Sequence, residues 1–233
     1  MFKRFFVLGI CFLAALPLSL QAKRYDPLDM PLPKLEVMPG AQSQWVGQQM
    51  AHNGMPMSVR LFTYPGAEAD VKKYYQSLFK TKGHGKSQYR NLGEYRVIGF
   101  ELRGYIYSVQ YRQIGRLVEG KLTVTPMPGR YRTNKKTKMA IAPGCRVLNK
   151  VESLDYGKRS ETLTLTCQKA LNSLEYFYLS HFEREQWSLI RQSNSSKGVV
   201  LDYQRGSETV QVTLNQSTQK SKRLVNILIN WIK

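Results

Sequence analysis

The chain has 233 residues, of which 42% are hydrophobic and 11% aromatic. This is enough apolar material for a sizeable core, and the composition therefore excludes a disordered basic chain. Its 35 lysines and arginines outnumber its 16 aspartates and glutamates and give a net charge of +19. A charge excess of this size is informative about partners rather than about the fold, and it favours an anionic partner.

The beginning of the chain has the pattern of a secretory signal peptide. Lys3 and Arg4 precede an apolar stretch at residues 5–16, and the segment ends at a small residue, Ala22. The apolar stretch is shorter than the roughly 20 residues of a membrane-spanning helix, so a cleaved signal is favoured over a membrane anchor. We therefore predict that residues 1–22 are removed, that the protein is exported to the periplasm, and that the remaining chain has no transmembrane segment.

Two segments of irregular composition separate the predicted folded parts. Residues 23–37 contain three prolines and are expected to form an extended lead-in. Residues 127–138 are rich in proline, glycine and positive charge, which predicts an exposed basic connector.

The remaining residues, 38–126 and 139–233, repeat one pattern. A Pro-Gly pair at residues 39–40 recurs at residues 143–144, and after each pair come a strand, a turn, a second strand, a helix and about three more strands. The alternative is a coincidental likeness between two strand-rich segments. We predict an α+β fold of two tandem similar units, each a mainly antiparallel sheet with one helix packed on a face.

In the first unit, Asn53-Gly54 predicts a hairpin turn before a strand at residues 58–63. A helix is predicted from apolar residues at helical spacing, which are Ala67, Val71, Tyr74, Tyr75, Leu78 and Phe79. Farther along, Arg103-Gly104 lies between two predicted strands. The second of these contains Tyr107 and Tyr111, which we expect to face the helix rather than solvent.

In the second unit, a hairpin centred on Tyr156 places Cys145 and Cys167 opposite each other. Two cysteines at this separation in an exported chain favour a structural disulfide, with two free buried thiols as the alternative. The spacing excludes a redox Cys-x-x-Cys motif, and neighbouring histidines or acidic residues that could complete a metal site are lacking. We predict the Cys145–Cys167 disulfide.

The second helix is predicted after this hairpin. Asn172 and Glu175 resemble a capping box, and Leu171 with Tyr176 fits the accompanying hydrophobic contact. The predicted buried stripe consists of Leu174, Phe177, Tyr178, His181 and Phe182.

Catalytic motifs are missing from the sequence. His52 falls in a predicted turn, His84 in a loop, and His181 on the buried helix stripe, where a packed histidine is the simpler interpretation. The carboxylates are scattered, and the sequence lacks a P-loop, a GxSxG, an HExxH or a GxGxxG motif. We predict a protein that is not an enzyme and that needs no metal or cofactor, with a catalytic site assembled from distant residues as the alternative.

Charge is the stronger functional signal. Residues 23–138 carry 20 basic and 8 acidic residues, against 13 and 8 from residue 139 onward. The candidate anion-binding residues are Lys80, Lys82, Lys86, Arg90, Arg96, Arg103, Arg112, Arg116, Arg130, Arg132, Lys135, Lys136 and Lys138. The alternative is that these residues only make the surface soluble.

Four functions follow from these patterns. The first is a periplasmic binding protein whose basic first unit docks on an anionic envelope component, such as lipopolysaccharide, anionic lipid or a wall polymer, or on an acidic protein partner. The second is an interaction module of an envelope assembly such as a secretion, pilus or conjugation machine. The third is binding of exported nucleic acid, and the fourth is a hydrolase with a dispersed site. The sequence leaves the oligomeric state open.

Overall fold

The computed structural model describes residues 26–82, 87–129, 134–219 and 222–233. The predicted signal peptide lies outside the described residues. Strands are numbered along the chain as β1 (Gln42–His52), β2 (Met55–Tyr64), β3 (Gln88–Leu92), β4 (Tyr95–Leu102), β5 (Tyr105–Ile114), β6 (Leu117–Pro126), β7 (Cys145–Asp155), β8 (Lys158–Cys167), β9 (Ser188–Ser195), β10 (Gly198–Arg205), β11 (Glu208–Gln219) and β12 (Lys222–Ile232). The helices are α1 (Glu68–Lys82) and α2 (Leu171–Arg184), and a 3₁₀ turn covers Pro27–Asp29.

All twelve strands join one sheet in the order β3-β4-β5-β6-β2-β1-β7-β8-β12-β11-β10-β9. Each half of the chain contributes six consecutive strands, and the two sets meet where residues 49–52 of β1 pair with residues 151–154 of β7. Ala51 lies opposite Pro56 on one side and Glu152 on the other. Side chains alternate between the two faces along each strand, and residues that pair across neighbouring strands point to the same face. The register at Ala51 therefore puts both helices on the same face of the sheet.

The structure confirms a mainly antiparallel α+β fold in which the sheet dominates. Four strands follow each helix, where about three were predicted. The additional strands, β3 and β9, form the two outer edges of the sheet. Every residue of β9 is exposed, and β3 is nearly as open. Strands without a buried face lack the apolar alternation by which a strand is recognised in sequence, so these two were missed.

Each half has its own core between its helix and its part of the sheet. In α1 most of the predicted stripe is correct, since Val71, Tyr75 and Phe79 are buried and Tyr74 and Leu78 are half-buried, whereas Ala67 precedes the helix and is exposed. In α2 the fully buried positions are Leu171, Leu174, Tyr178 and Phe182, whereas Phe177 and His181 are only half-buried. On β5, Tyr111 is buried and Tyr107 packs at the margin of the first core, as expected.

The predicted capping box of α2 is wrong. The helix begins two residues earlier than predicted, at Leu171, with Ala170 as a cap that makes no side-chain hydrogen bond. Asn172 is therefore inside the first turn, and Glu175 instead accepts hydrogen bonds from Gln192 and Asn194 of β9. Tyr176 is 73% exposed, so the hydrophobic contact predicted with Leu171 is absent as well.

The disulfide between Cys145 and Cys167 is confirmed, with 4.4 Å between the Cα atoms. The hairpin that carries it turns at Tyr156-Gly157, where both residues have positive φ, as in a two-residue turn of type I′. Asn53-Gly54 forms the equivalent turn between β1 and β2, with φ angles of 52° and 82°.

The described C-terminal part of the basic connector, residues 134–138, is mostly exposed and is anchored to the sheet by hydrogen bonds. The Asn134 amide donates to the Asn53 carbonyl at 2.6 Å, and the hydroxyl of Thr137 donates to the carboxylate of Glu161. Lys150 is almost fully buried beneath this segment, where its ammonium pairs with Glu152 at 2.9 Å and donates to the carbonyl of Lys136 at 3.0 Å. The connector therefore covers the line along which the two sets of strands meet.

The buried tyrosines Tyr75 and Tyr178 occupy matching places in the two cores but differ in their hydrogen bonds. The Tyr75 hydroxyl donates to the carbonyl of Glu36 at 3.2 Å and accepts from the amide of Met38 at 3.3 Å. The Tyr178 hydroxyl faces the backbone of Ala142 but makes no hydrogen bond of standard geometry to any described residue. Burial raises the pKa of both phenols.

This difference predicts that removing the two hydroxyls has unequal effects on the free energy of unfolding. Tyr75→Phe should lower the free energy of unfolding by about 1–3 kcal/mol, because it leaves the buried amide of Met38 and the partly buried carbonyl of Glu36 without their partner. Tyr178→Phe removes a hydroxyl whose backbone neighbour, Ala142, lies outside standard hydrogen-bond geometry, so it should change the stability much less. Urea denaturation of both variants checks the difference. Equal losses in the two variants would contradict this explanation.

Candidate functional site

Cations collect at one end of the first half of the sheet. Because Leu102 pairs with Tyr105 and Tyr105 with Pro126, the β4–β5 turn, the end of β6 and the start of β2 are level with one another. The last turn of α1 and the connector reach the same end. We call the exposed cations of this region the basic end, which consists of Lys34, Lys80, Lys82, Arg103, Lys135, Lys136 and Lys138.

Two other predicted cations lie at the opposite end of the first half, where carboxylates neutralise them. Arg96 is 3.5 Å from Glu68, at the start of α1. Arg112 pairs with Glu94 at 3.0 Å and with Glu119 at 3.8 Å. The sheet thus separates unbalanced positive charge at the basic end from mixed charge at the other.

The rest of the predicted set is dispersed. Arg90 lies on β3, on the face of the sheet away from the helices, and Arg116 lies in the β5–β6 turn. Lys86, Arg130, Arg132 and His84 lie outside the described residues. Six of the predicted residues thus lie at the basic end together with Lys34, which the sequence placed in an extended lead-in without any functional signal. The connector lysines extend away from Arg103, since Lys135 donates to the carbonyl of Leu148 on β7 and the neighbouring Thr137 donates to Glu161 on β8.

A cavity of about 290 Å³ opens within the basic end, and we call it the aromatic cavity. It is lined by Lys34, Leu35, Phe79, Lys82, Phe100, Leu102, Arg103 and Tyr107. Phe79 and Phe100 are stacked, with their ring centroids 4.8 Å apart and their planes 8° apart. Because three cations line a cavity that also holds aromatic rings, this site combines an apolar surface with positive charge.

Electrostatic effects within the cavity are visible at Tyr107. Burial raises the pKa of Tyr107, while the positive charges of Lys82 and Arg103 act to lower it. Lys82 also forms an ion pair with Glu36. Lysines in the last turn of a helix offset its macrodipole, so Lys80 and Lys82 have a structural role as well. Arg103 does not have this role, since it lies in a turn, with φ of 51°, and its guanidinium forms no ion pair or hydrogen bond with a described residue.

Two larger cavities lack this combination. One of about 670 Å³ lies at the start of α2 and is lined by polar and aliphatic residues, including Lys169 and Lys197. Another, of about 450 Å³, lies along β1, β2 and β6 and includes Leu61 and Glu119. Neither contains stacked aromatic rings.

Groups associated with catalysis do not converge in the described part of the chain. His52 is exposed and hydrogen-bonds with Asn149 at 3.2 Å, and His181 stacks on Phe177. Across the ranges that the structure describes, no three His, Cys, Asp or Glu residues are placed to hold a metal ion. Within the same ranges, no helix has the length and apolar character needed to cross a bilayer.

No protein-family profile, curated protein or solved structure matches the chain. The basic end and the aromatic cavity are the features of the described chain that bear on its function.

Proposed function

We propose that the protein is an exported, non-enzymatic binding protein of the periplasm whose basic end docks on an anionic component of the cell envelope. The observation that carries this proposal is the separation of charge in the first half. Among the described residues of the basic end, Lys82 is paired with Glu36 and the other cations form no ion pair, while Arg96 and Arg112 are paired with acids elsewhere. The disulfide is weakly consistent with export, because such bonds persist in oxidising compartments.

We also propose that the two halves arose by duplication of one α+β unit. In support of this, an aromatic pair on α1 recurs on α2 at the same separation in sequence for both of its members. Tyr74 and Tyr75 form an edge-to-face pair at 4.9 Å, and Phe177 and Tyr178 form one at 5.1 Å. The second half, which has the smaller charge excess, would then serve as a rigid support for the first.

Docking would be electrostatic and therefore sensitive to salt. Each Lys or Arg near an anionic membrane surface contributes roughly 1 kcal/mol, or about fivefold in binding. Raising the salt concentration from about 0.1 M to about 1 M shortens the Debye length from about 10 Å to about 3 Å and removes most of this attraction.

The test is co-sedimentation of residues 23–233 with vesicles of phosphatidylcholine that contain or lack phosphatidylglycerol, and with lipopolysaccharide. We expect binding to the anionic vesicles or to lipopolysaccharide at low salt, and loss of that binding at high salt. Binding to neither, or binding that salt does not weaken, would refute the proposal.

A pair of triple variants tests the location of the site. Lys80→Gln, Arg103→Asn and Lys136→Gln together remove three exposed charges from the basic end and should weaken vesicle binding by roughly a hundredfold at about fivefold per charge. Arg116→Asn, Lys121→Gln and Lys158→Gln remove the same charge elsewhere and should have a much smaller effect. Equal losses would mean that net charge, and not the basic end, governs binding.

The second candidate function is an interaction module of an envelope assembly. The edge strand β9 is exposed throughout, with Leu189 43% and Ile190 61% exposed. An open edge of this kind offers backbone groups to an added strand. A stoichiometric protein partner recovered from crosslinked envelopes, with contacts at β9, would favour this function. Nucleic-acid binding, which needs the same basic end, is tested by retention of DNA in a gel-shift at moderate salt.

A further inference from the structure

The hairpin of β1 and β2 carries a histidine and several methionines beside its turn. Met50 pairs with Met57 and His52 pairs with Met55, without a register shift between these two pairs. Residues that pair across two strands point to the same face of a sheet, and so do residues two apart along one strand. All four side chains therefore lie on one face of the hairpin, next to the Asn53-Gly54 turn.

This face of the sheet is the one that the helices do not cover. Ala51 and Pro56, which alternate with the four residues, are buried on the opposite face. Pro56 shares that face with Phe62, which contacts Tyr75 of α1. The histidine is exposed and the methionines are half-buried, so solvent reaches the donor atoms. Directly opposed positions have Cβ atoms about 4.5–5.5 Å apart, which lets long side chains converge.

The thioether of Met50 has the freedom to join such a group. Its side chain folds over Gly47, where the lack of a Cβ atom leaves space for the sulfur. Methionine has an unbranched, flexible side chain, so rotation of its bonds can bring the sulfur toward the turn. His52, Met55 and Met57 would then be joined by a fourth donor.

A contact with the second half orients His52. Its Nε2 atom lies 3.2 Å from Oδ1 of Asn149 on β7 and 3.3 Å from Nδ2 of Asn53. The two contacts require opposite tautomers, since an amide oxygen only accepts and an amide nitrogen only donates. In the tautomer that donates to Asn149, the lone pair of Nδ1 is available to a metal. Histidines that bind metals usually donate their other ring N–H to an oxygen in this way.

We propose that this hairpin face binds one Cu(I) ion. The ligands are the imidazole and the thioethers of His52, Met50, Met55 and Met57. Thioethers are soft donors that select Cu(I), and imidazole also suits copper. The donor set contains no carboxylate or carbonyl, the groups that suit Mg²⁺, Ca²⁺ and Mn²⁺. This inference goes beyond docking on an anion, and it replaces the expectation from the sequence that the protein has no metal.

Metal titrations of residues 23–233 with ¹³C-labelled methionine methyl groups test the proposal. This chain has no free thiol while the disulfide is intact. The probes are Ag(I), a soft ion that needs no reductant, and Cu(I) in competition with bicinchoninate in the presence of ascorbate. We expect one ion per chain and shifts of the methyl signals of the three hairpin methionines. Signals of Met38 and Met139, which are buried in the two cores, should not move.

Conservative variants locate the ion. Met57→Leu and His52→Gln should each weaken Cu(I) binding by at least about tenfold. Asn149→Ala removes the bond that positions the imidazole and should cost about tenfold, and Asn149→Asp, which keeps an acceptor oxygen, should restore the affinity. Met30→Leu changes a half-buried methionine of the lead-in and should leave Cu(I) binding unchanged.

Four results would count against the site. Ag(I) that moves none of the hairpin signals would overturn it, as would an equal loss of Cu(I) affinity in Met30→Leu and Met57→Leu. Binding of Ag(I) without Cu(I) would overturn the assignment to copper. Zn²⁺, whose usual ligands are thiolates, imidazoles and carboxylates, should bind much more weakly, and equal affinity for Zn²⁺ and Cu(I) would contradict a thioether site. Vesicle binding is measured separately, so none of these results decides the proposed docking.

Discussion

Replacing both cysteines, as Cys145→Ala with Cys167→Ala, is expected to lower the free energy of unfolding by about 3 kcal/mol. The bond closes a loop between residues 22 apart in sequence, and loop-closure entropy for that length corresponds to about 3 kcal/mol at 25 °C. Cys167 is 1% exposed, so loss of its sulfur from the second core adds to the effect. Urea denaturation of the variant and of the oxidised protein measures the difference.

Reduction of the unsubstituted protein is the control, because it opens the bond while keeping both sulfurs in place. The reduced protein should lose most of the 3 kcal/mol, and the double variant somewhat more. A reduced protein with the denaturation midpoint of the oxidised one would show that the bond does not constrain the unfolded chain.

The cysteine pair also shows how far the sequence could specify the structure. A hairpin centred on Tyr156 predicted the correct partners, although the turn consists of two residues, Tyr156-Gly157. Continued without interruption, the register of Asp155 with Lys158 would put Cys145 opposite Gln168. An irregularity at Leu148 shifts the pairing by one residue and brings the cysteines together. Alternation of side chains does not reveal such a bulge, so the pair was predicted and its register was not.

The joining of the two halves into one sheet was not predictable for a similar reason. In the part of the chain that the structure describes, strand pairing across the join is limited to residues 49–52 and 151–154, and Asn53 supports it by accepting from the amide of Lys150 at 2.9 Å. Pairing between distant strands has no signature in local periodicity. The candidate site shares this limit, because Lys34 and Arg103 meet only through tertiary packing. Helix stripes and hairpin turns, which depend on neighbouring residues, were predicted well.

Trp187→Ala is expected to destabilise the protein by about 3–5 kcal/mol, the usual cost of truncating a large aromatic side chain in a core. The ring is 9% exposed and contacts Phe182, and the Arg205 guanidinium that covers it would lose its aromatic partner. Thermal and urea denaturation of the variant measure the loss. Trp45→Ala is the matched control, because Trp45 is 37% exposed and also lies under an arginine, Arg60, at 4.8 Å, and it should cost much less.

Added indole should partly restore the Trp187→Ala variant, because the truncated site keeps its ring-binding surface and its cation. A ligand present at tenfold its dissociation constant stabilises the folded state by about 1.4 kcal/mol. The gain should be absent when Arg205→Ala is combined with Trp187→Ala if the guanidinium contributes to holding the ring. Indole that stabilises the Trp187→Ala variant no more than the Trp45→Ala control would show that Phe182, Tyr203 and Arg205 collapse once the tryptophan is removed.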